Sequence, residues 1–165
     1  MRWKIIITLT LFLISCSSDY DTLREKILFN KVSTALKNHD AKDLSDSDYD
    51  NIAAFIAQGK TRWIRLYPML NKAPFLGATF FQEGLHIVMA YALPRNPNEV
   101  LKFVDDKNID DICGAPFIEP TNIEMRDYFA ETRTALNKAS SAGRWKAPCL
   151  MRLRTAIADK SSLVR

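Results

Sequence analysis

GATFFQEGLHIVMAYA, residues 77–92, is the stretch that decides the fold. Gly77, Phe81, Leu85, Val88, Met89 and Ala92 recur at three- and four-residue spacing, which is the period of one helix face. This stripe is the strongest in the chain and predicts the central buried helix, ended by Pro94. Downstream, Asn96-Pro97 supplies a cap and a first-turn proline for a helix through Val100, Leu101, Phe103 and Val104. Residues 105–120 read as irregular, with Gly114, Pro116 and Pro120. Thr121-Asn122-Ile123-Glu124 matches a capping box and opens a helix that buries Met125, Tyr128, Phe129, Thr132 and Leu136. A last helix carries Trp145, Cys149, Leu150, Leu153 and Ile157 on one face, with Arg152 and Arg154 turned away.

Upstream the pattern is also helical. Trp63, Ile64, Tyr67 and Leu70 follow the cap candidate Thr61, and Pro74 breaks the chain after them. Ile52, Phe55 and Ile56 give an earlier helix its apolar side, with Asp46 or Ser47 at its start and Gly59 at its end. Residues 41–47 are a polar loop. Leu23, Ile27, Leu28, Val32, Ala35 and Leu36 form the face of a first helix ending near Asn38. No convincing strand alternation is present. The expected class is all-α, a single small helical domain over residues 22–165. Two helical pairs, Ile52 to Leu70 and Ile87 to Val104, lie about 35 residues apart, so the domain is either a short, HEAT-like α-hairpin repeat or an orthogonal bundle.

The N-terminus carries a different kind of signal. Arg2 and Lys4 precede an apolar run from Ile5 to Ile14, interrupted only by Thr8 and Thr10. A spanning helix needs about 20 apolar residues, so this run reads as an export signal. Leu13-Ile14-Ser15-Cys16 follows and resembles the lipobox of bacterial lipoprotein signal peptides. The resemblance implies a signal peptide over residues 1–15, cleavage before Cys16, lipidation of its thiol, and a lipidated tether over residues 16–21. Acyl chains on Cys16 would hold the protein on a membrane, because each buried methylene contributes about 0.8 kcal/mol. Ser17 stands at the position that sorts Gram-negative lipoproteins. With no Asp there, the family rule places the protein in the outer membrane, facing the periplasm. In a Gram-positive cell the same anchor would hold it outside the single membrane.

With Cys16 consumed, Cys113 and Cys149 remain, and in an oxidising compartment such a pair favours a disulfide. Cleavage also removes Arg2 and Lys4, leaving 21 basic against 19 acidic side chains, a balance of +2. No dense basic patch supports nucleic-acid binding.

No constellation for catalysis emerges. Glu83-x-x-His86 has the spacing of a di-iron ligand pair, but those sites need a second copy and further Glu residues. Asp105 with Asp106 and Asp110 with Asp111 are adjacent acids that a solvated loop explains. No metal, cofactor or enzymatic activity is expected. Two segments are candidate partner-binding surfaces. Arg62, Trp63, Arg65 and Tyr67 crowd one helix with residue types that dominate interfaces, although Trp63 and Tyr67 are equally explained as core. Asp46, Asp48 and Asp50, with Asp43 nearby, form an acidic cluster suited to a basic partner or to a solvated helix start.

The expected function is a non-enzymatic, protein-binding or scaffold component of the cell envelope or of a secretion system, attached to the membrane through its lipid. The overall layout is similar to the helical immunity proteins that neutralise type VI secretion amidase effectors. That resemblance is one of architecture and compartment, and it implies the alternative of an immunity protein against a secreted cell-wall amidase. It assigns no role to any residue.

Overall fold

Helix formation follows apolar periodicity over the longer elements of a computed structural model that describes residues 3–76, 79–117, 120–140 and 143–162. Among the described residues no strand is present, and the chain is all-α. Gly77 and the side chains of Cys16 and Ile157 lie outside the described part. The chain divides into two compact units, residues 1–45 and 46–165.

The first unit is built on α1, Trp3–Asn38, a helix of 36 residues. It runs without a break through residues 16–21, the segment expected as a tether, and so starts well before Leu23. Leu28, Val32 and Ala35 are buried at helical spacing, while Leu23 and Ile27, expected on the same face, are exposed. The buried stripe is therefore narrower than the apolar pattern. α1 ends as expected at Asn38, with His39 in the left-handed region at φ 55° and the Asp40 N–H donating to the Ala35 carbonyl at 3.2 Å. That bond satisfies one of the orphan carbonyls of the last turn. Among the described residues no helix is long and apolar enough to cross a membrane.

In the second unit α2, Asp46–Ala57, places Asp46 and Asp48 in its first turn and buries Tyr49, Ile52 and Ile56. Gly59 ends it at φ 77°, with its N–H on the Ile56 carbonyl and the Lys60 N–H on the Phe55 carbonyl. Glycine is required there twice over, since a Cβ would also lie 2.8 Å from Cβ of Arg95.

The helix expected from Thr61 to Leu70 is instead two single turns, α3 (Thr61–Ile64) and α4 (Tyr67–Leu70). Pro68 has no N–H to give the Ile64 carbonyl, and its ring crowds that carbonyl, so one helix cannot continue. Thr61 does not cap α3. The residue at that position is Lys60, whose side chain makes no capping bond, and the Thr61 hydroxyl accepts from Asn96 Nδ2 at 3.0 Å.

A 3-10 turn at Pro74–Leu76 precedes α5, Thr79–Ala92. Phe81, Leu85, Met89 and Ala92 are buried as the periodicity predicts. α6, Pro97–Val100, opens on Asn96, whose side chain accepts from the Glu99 N–H at 3.3 Å, and runs into a 3-10 turn at Leu101–Phe103. One helical turn, α7 (Ile109–Ile112), lies inside the segment expected to be irregular. α8, Asn122–Lys138, carries the complete Thr121–Glu124 capping box. α9, Lys146–Ser162, ends the described chain.

The long helices α2 and α5 pack on each other, and so do the short helices α3 and α6. This is the stacking that two α-hairpins about 35 residues apart would make. Beyond Val104 the pattern stops, and α7 joins α5 to α9 while α8 packs on α9. The Cys113–Cys149 disulfide is present, with Cα atoms 5.1 Å apart, and pins the end of α7 to α9. Gly114 follows at once, where a Cβ would strike the Asp110 carbonyl. Arg152 is not turned away as expected, since it forms an ion pair with Asp110 at 2.6 Å across the same α7–α9 contact.

Candidate functional site

The segment from Arg62 to Tyr67 divides by face. Trp63 is fully buried and stacks on Phe55 with ring centroids 5.2 Å apart. Tyr67 is buried too, its hydroxyl 3.5 Å from Asn108 Nδ2, and burial pushes its phenol up to about 12. The expectation that these two aromatics anchor a partner is therefore corrected. They are core, because the break before Pro68 turns both α3 and α4 inward. Arg62 and Arg65 stay exposed.

Arg65 has a defined task. Its Nε donates to Glu99 Oε1 at 2.7 Å, and Lys102 Nζ donates to Glu99 Oε2 at 2.8 Å. Glu99 is buried, so these two cations keep a carboxylate satisfied inside the α3–α6 contact. The Arg65 hydrogen bond, ahead of Lys102, holds the Glu99 carboxyl below its ordinary value. A depressed carboxyl binds its proton less readily in the folded chain than in the unfolded one. Its contribution is therefore present above the ordinary Glu range and lost as pH falls through the lowered folded value. Acid titration of the unfolding midpoint should show a decline below about pH 4.5 that is shallower in Glu99→Gln.

Asp46, Asp48 and Asp50 lie on the first turns of α2, with Asp46 and Asp50 exposed. Their electrostatic effect is local: burial, then Asp46 and Asp48, raises the Tyr49 phenol. The Tyr49 hydroxyl donates to the Leu76 carbonyl at 2.8 Å. Arg62 follows the opposite end of α2, roughly 18 Å away along a helix of this length. The structure thus does not join the acidic and arginine segments into one surface.

Of the groups weighed for chemistry, Asp105, Asp110, Asp111 and His86 are engaged in structure. Asp105 Oδ1 accepts from the N–H groups of Lys107 and Asn108, at 2.8 and 3.0 Å, and shapes the turn before α7. His86 Nδ1 lies 3.0 Å from Asp111 Oδ2, linking α5 to α7, while Glu83 of the same motif is exposed. Among the described residues no group of three or more His, Cys, Asp or Glu is placed to hold a metal. An open cleft of about 250 Å³ lies between Tyr67, Asn71, Lys72, Phe103 and Asn108, below the usual size of a ligand pocket.

The sequence reading missed the outer face of α5. Phe80, Ile87 and Tyr91 are 67%, 42% and 37% exposed, and their spacing aligns them on one side of the helix, opposite Leu85 and Met89. Tyr91 packs edge-on against Phe117, its ring 5.8 Å away, which in turn packs on Tyr128. Gly84 lies within the stripe, where a Cβ would meet no atom within 4 Å. The available signal was the doubling of Phe80-Phe81 and Ile87-Val88. Two adjacent apolar residues on a helix point about 100° apart, so α5 is apolar on more than its core face. Compared with known protein families, with characterised proteins and with solved structures, the chain matches none.

Proposed function

We propose that this chain is a lipid-anchored protein of the periplasmic face of the outer membrane that works by binding another protein, as a non-enzymatic component of the envelope or of a secretion system. The observation that carries the reading is the apolar stripe of Phe80, Ile87 and Tyr91 on the solvent side of the central helix. Contiguous apolar surface of this kind marks interaction sites, because leaving it in water costs free energy that a partner recovers. The lipobox-like segment ending at Cys16 supports the anchor. The Cys113–Cys149 disulfide suits an oxidising compartment.

The anchor is tested by Cys16→Ser. Without the acylated thiol the precursor should keep residues 1–15 and accumulate in the inner membrane, read by mass spectrometry and membrane fractionation; normal processing and sorting would contradict it. The partner is tested by crosslinking the full-length protein in its own envelope. Recovery of several envelope proteins in fixed ratio supports the scaffold. A single stoichiometric cell-wall hydrolase would replace it with the immunity reading.

A further inference from the structure

Leu23 and Ile27 of α1 are 55% and 59% exposed, four residues apart on the side of the helix away from the fully buried Val32. α1 is continuous from Trp3 to Asn38, so their register carries back along it. Cys16 stands seven residues before Leu23 and eleven before Ile27, and a helix returns to the same side at both spacings. Cations border that line on both flanks. At about 100° per residue, Lys26 and Lys37 fall on one flank and Arg24 and Lys31 on the other, all within about 100° of Leu23 or Ile27. The acids between Cys16 and Asn38 are Asp19, Asp21 and Glu25. Asp21 falls about 160° from Leu23 and Glu25 about 160° from Ile27, so only Asp19 shares the register of the apolar line.

We infer that this side of α1 lies flat on the membrane, with Leu23 and Ile27 seated at the level of the lipid headgroups and the flanking Arg24, Lys26, Lys31 and Lys37 meeting anionic phospholipid. This rests on the lipid-anchor reading above and deepens it, since acylation of Cys16 supplies one attachment and the helix a second. An interfacial helix needs an apolar side and basic flanks, and it does not need the length of a spanning one. Orientation follows from the register. An upright α1 would carry Leu23 about 10 Å from Cys16 into water, whereas a flat one brings Cys16, Leu23 and Ile27 to the same depth. Two aliphatic side chains are also a small share of the roughly 800 Å² per partner that a stable protein interface buries. A membrane already reached through Cys16 meets them at high effective concentration.

The test places a benzophenone amino acid at position 23 or 27 of the full-length chain in its own envelope, with control insertions at Asp21 and the exposed Thr134. Mass spectrometry of the peptide containing Cys16 reads acylation independently in the same sample. The expected result is phospholipid adducts at 23 and 27, recognised by their phosphate, roughly fivefold or more above those at 21 and 134. Lys26→Glu combined with Lys37→Glu should cut them roughly threefold or more, with helical content and disulfide unchanged. With Cys16 acylated, protein adducts or no adducts at 23 and 27 would overturn the inference and leave the anchor standing. Equal labelling at position 21, or indifference to the charge reversals, would overturn it as well. An unmodified Cys16 would remove both.

Discussion

Replacing both bridging cysteines, as Cys113→Ala with Cys149→Ala, is expected to lower the unfolding free energy by about 4 kcal/mol. The bridge closes a separation of 36 residues, and in the chain-entropy model that constraint on the unfolded chain is worth about this much. All of α8 lies within the closed segment. Without the bridge, α8 and α9 hold to the rest through packing, the Tyr128 hydroxyl on the Ala90 carbonyl at 3.0 Å and the partly exposed Asp110–Arg152 pair, and ion pairs near the surface contribute little. Both sulfurs belong to fully buried residues, so the truncations also remove apolar contacts. For a chain of this length the loss corresponds to a fall in melting temperature on the order of 10 °C. Reduction of the unaltered protein under denaturing conditions, followed by refolding with thiols blocked, should give the same deficit. A deficit below about 1 kcal/mol would show that the unfolded chain gains little freedom when the bridge is cut.

Local chemistry was legible in the sequence, and long-range chemistry, apart from the Cys113–Cys149 pair, was not. Gly59 and the Thr121–Glu124 box were readable because the groups they satisfy lie within a few residues. Pro68 was equally local, yet the apolar spacing across Trp63 to Leu70 masked the break it imposes. Asn96 shows the boundary well. Its capping bond to Glu99 follows from adjacency, whereas its donation to the Gly59 carbonyl at 2.9 Å depends on α3 meeting α6. Glu99 is the stronger case. A glutamate on a short polar helix reads as solvated, and its burial depends on Arg65, 34 residues earlier in the chain, joining the local Lys102 on its carboxylate. Periodicity assigned the inner face of α5 well, through Phe81, Leu85 and Met89. The outer face left no mark of its own, because Phe80, Ile87 and Tyr91 beside Phe81, Val88 and Ala92 widen one apolar pattern and do not form a second. Periodicity also set the start of the first helix at Leu23, because polar residues 17–21 look like a linker, while α1 continues through them.

The substitution Trp63→Ala is expected to cost about 3–5 kcal/mol of stability, while Arg62→Ala beside it costs about 0.5 kcal/mol or less. The two residues were adjacent members of one candidate surface, and the structure puts them on opposite sides of the solvent boundary. Trp63 is fully buried against Phe55, and Lys60 Nζ lies 4.4 Å from the centroid of that same Phe55 ring. Removing the indole therefore opens a cavity beneath a ring whose outer side is already occupied, leaving little room for collapse. Trp63→Phe, which keeps an aromatic face toward Phe55, should recover a large part of the loss. Chemical denaturation of the three variants reads this directly. An interface anchor would behave in the opposite way, losing about 2 kcal/mol or more of binding with the unfolding midpoint unmoved. That second pattern would return Trp63 to the surface and make α3 the contact face. The first leaves Phe80 and Tyr91, on the solvent side of α5, as aromatic side chains open to a partner.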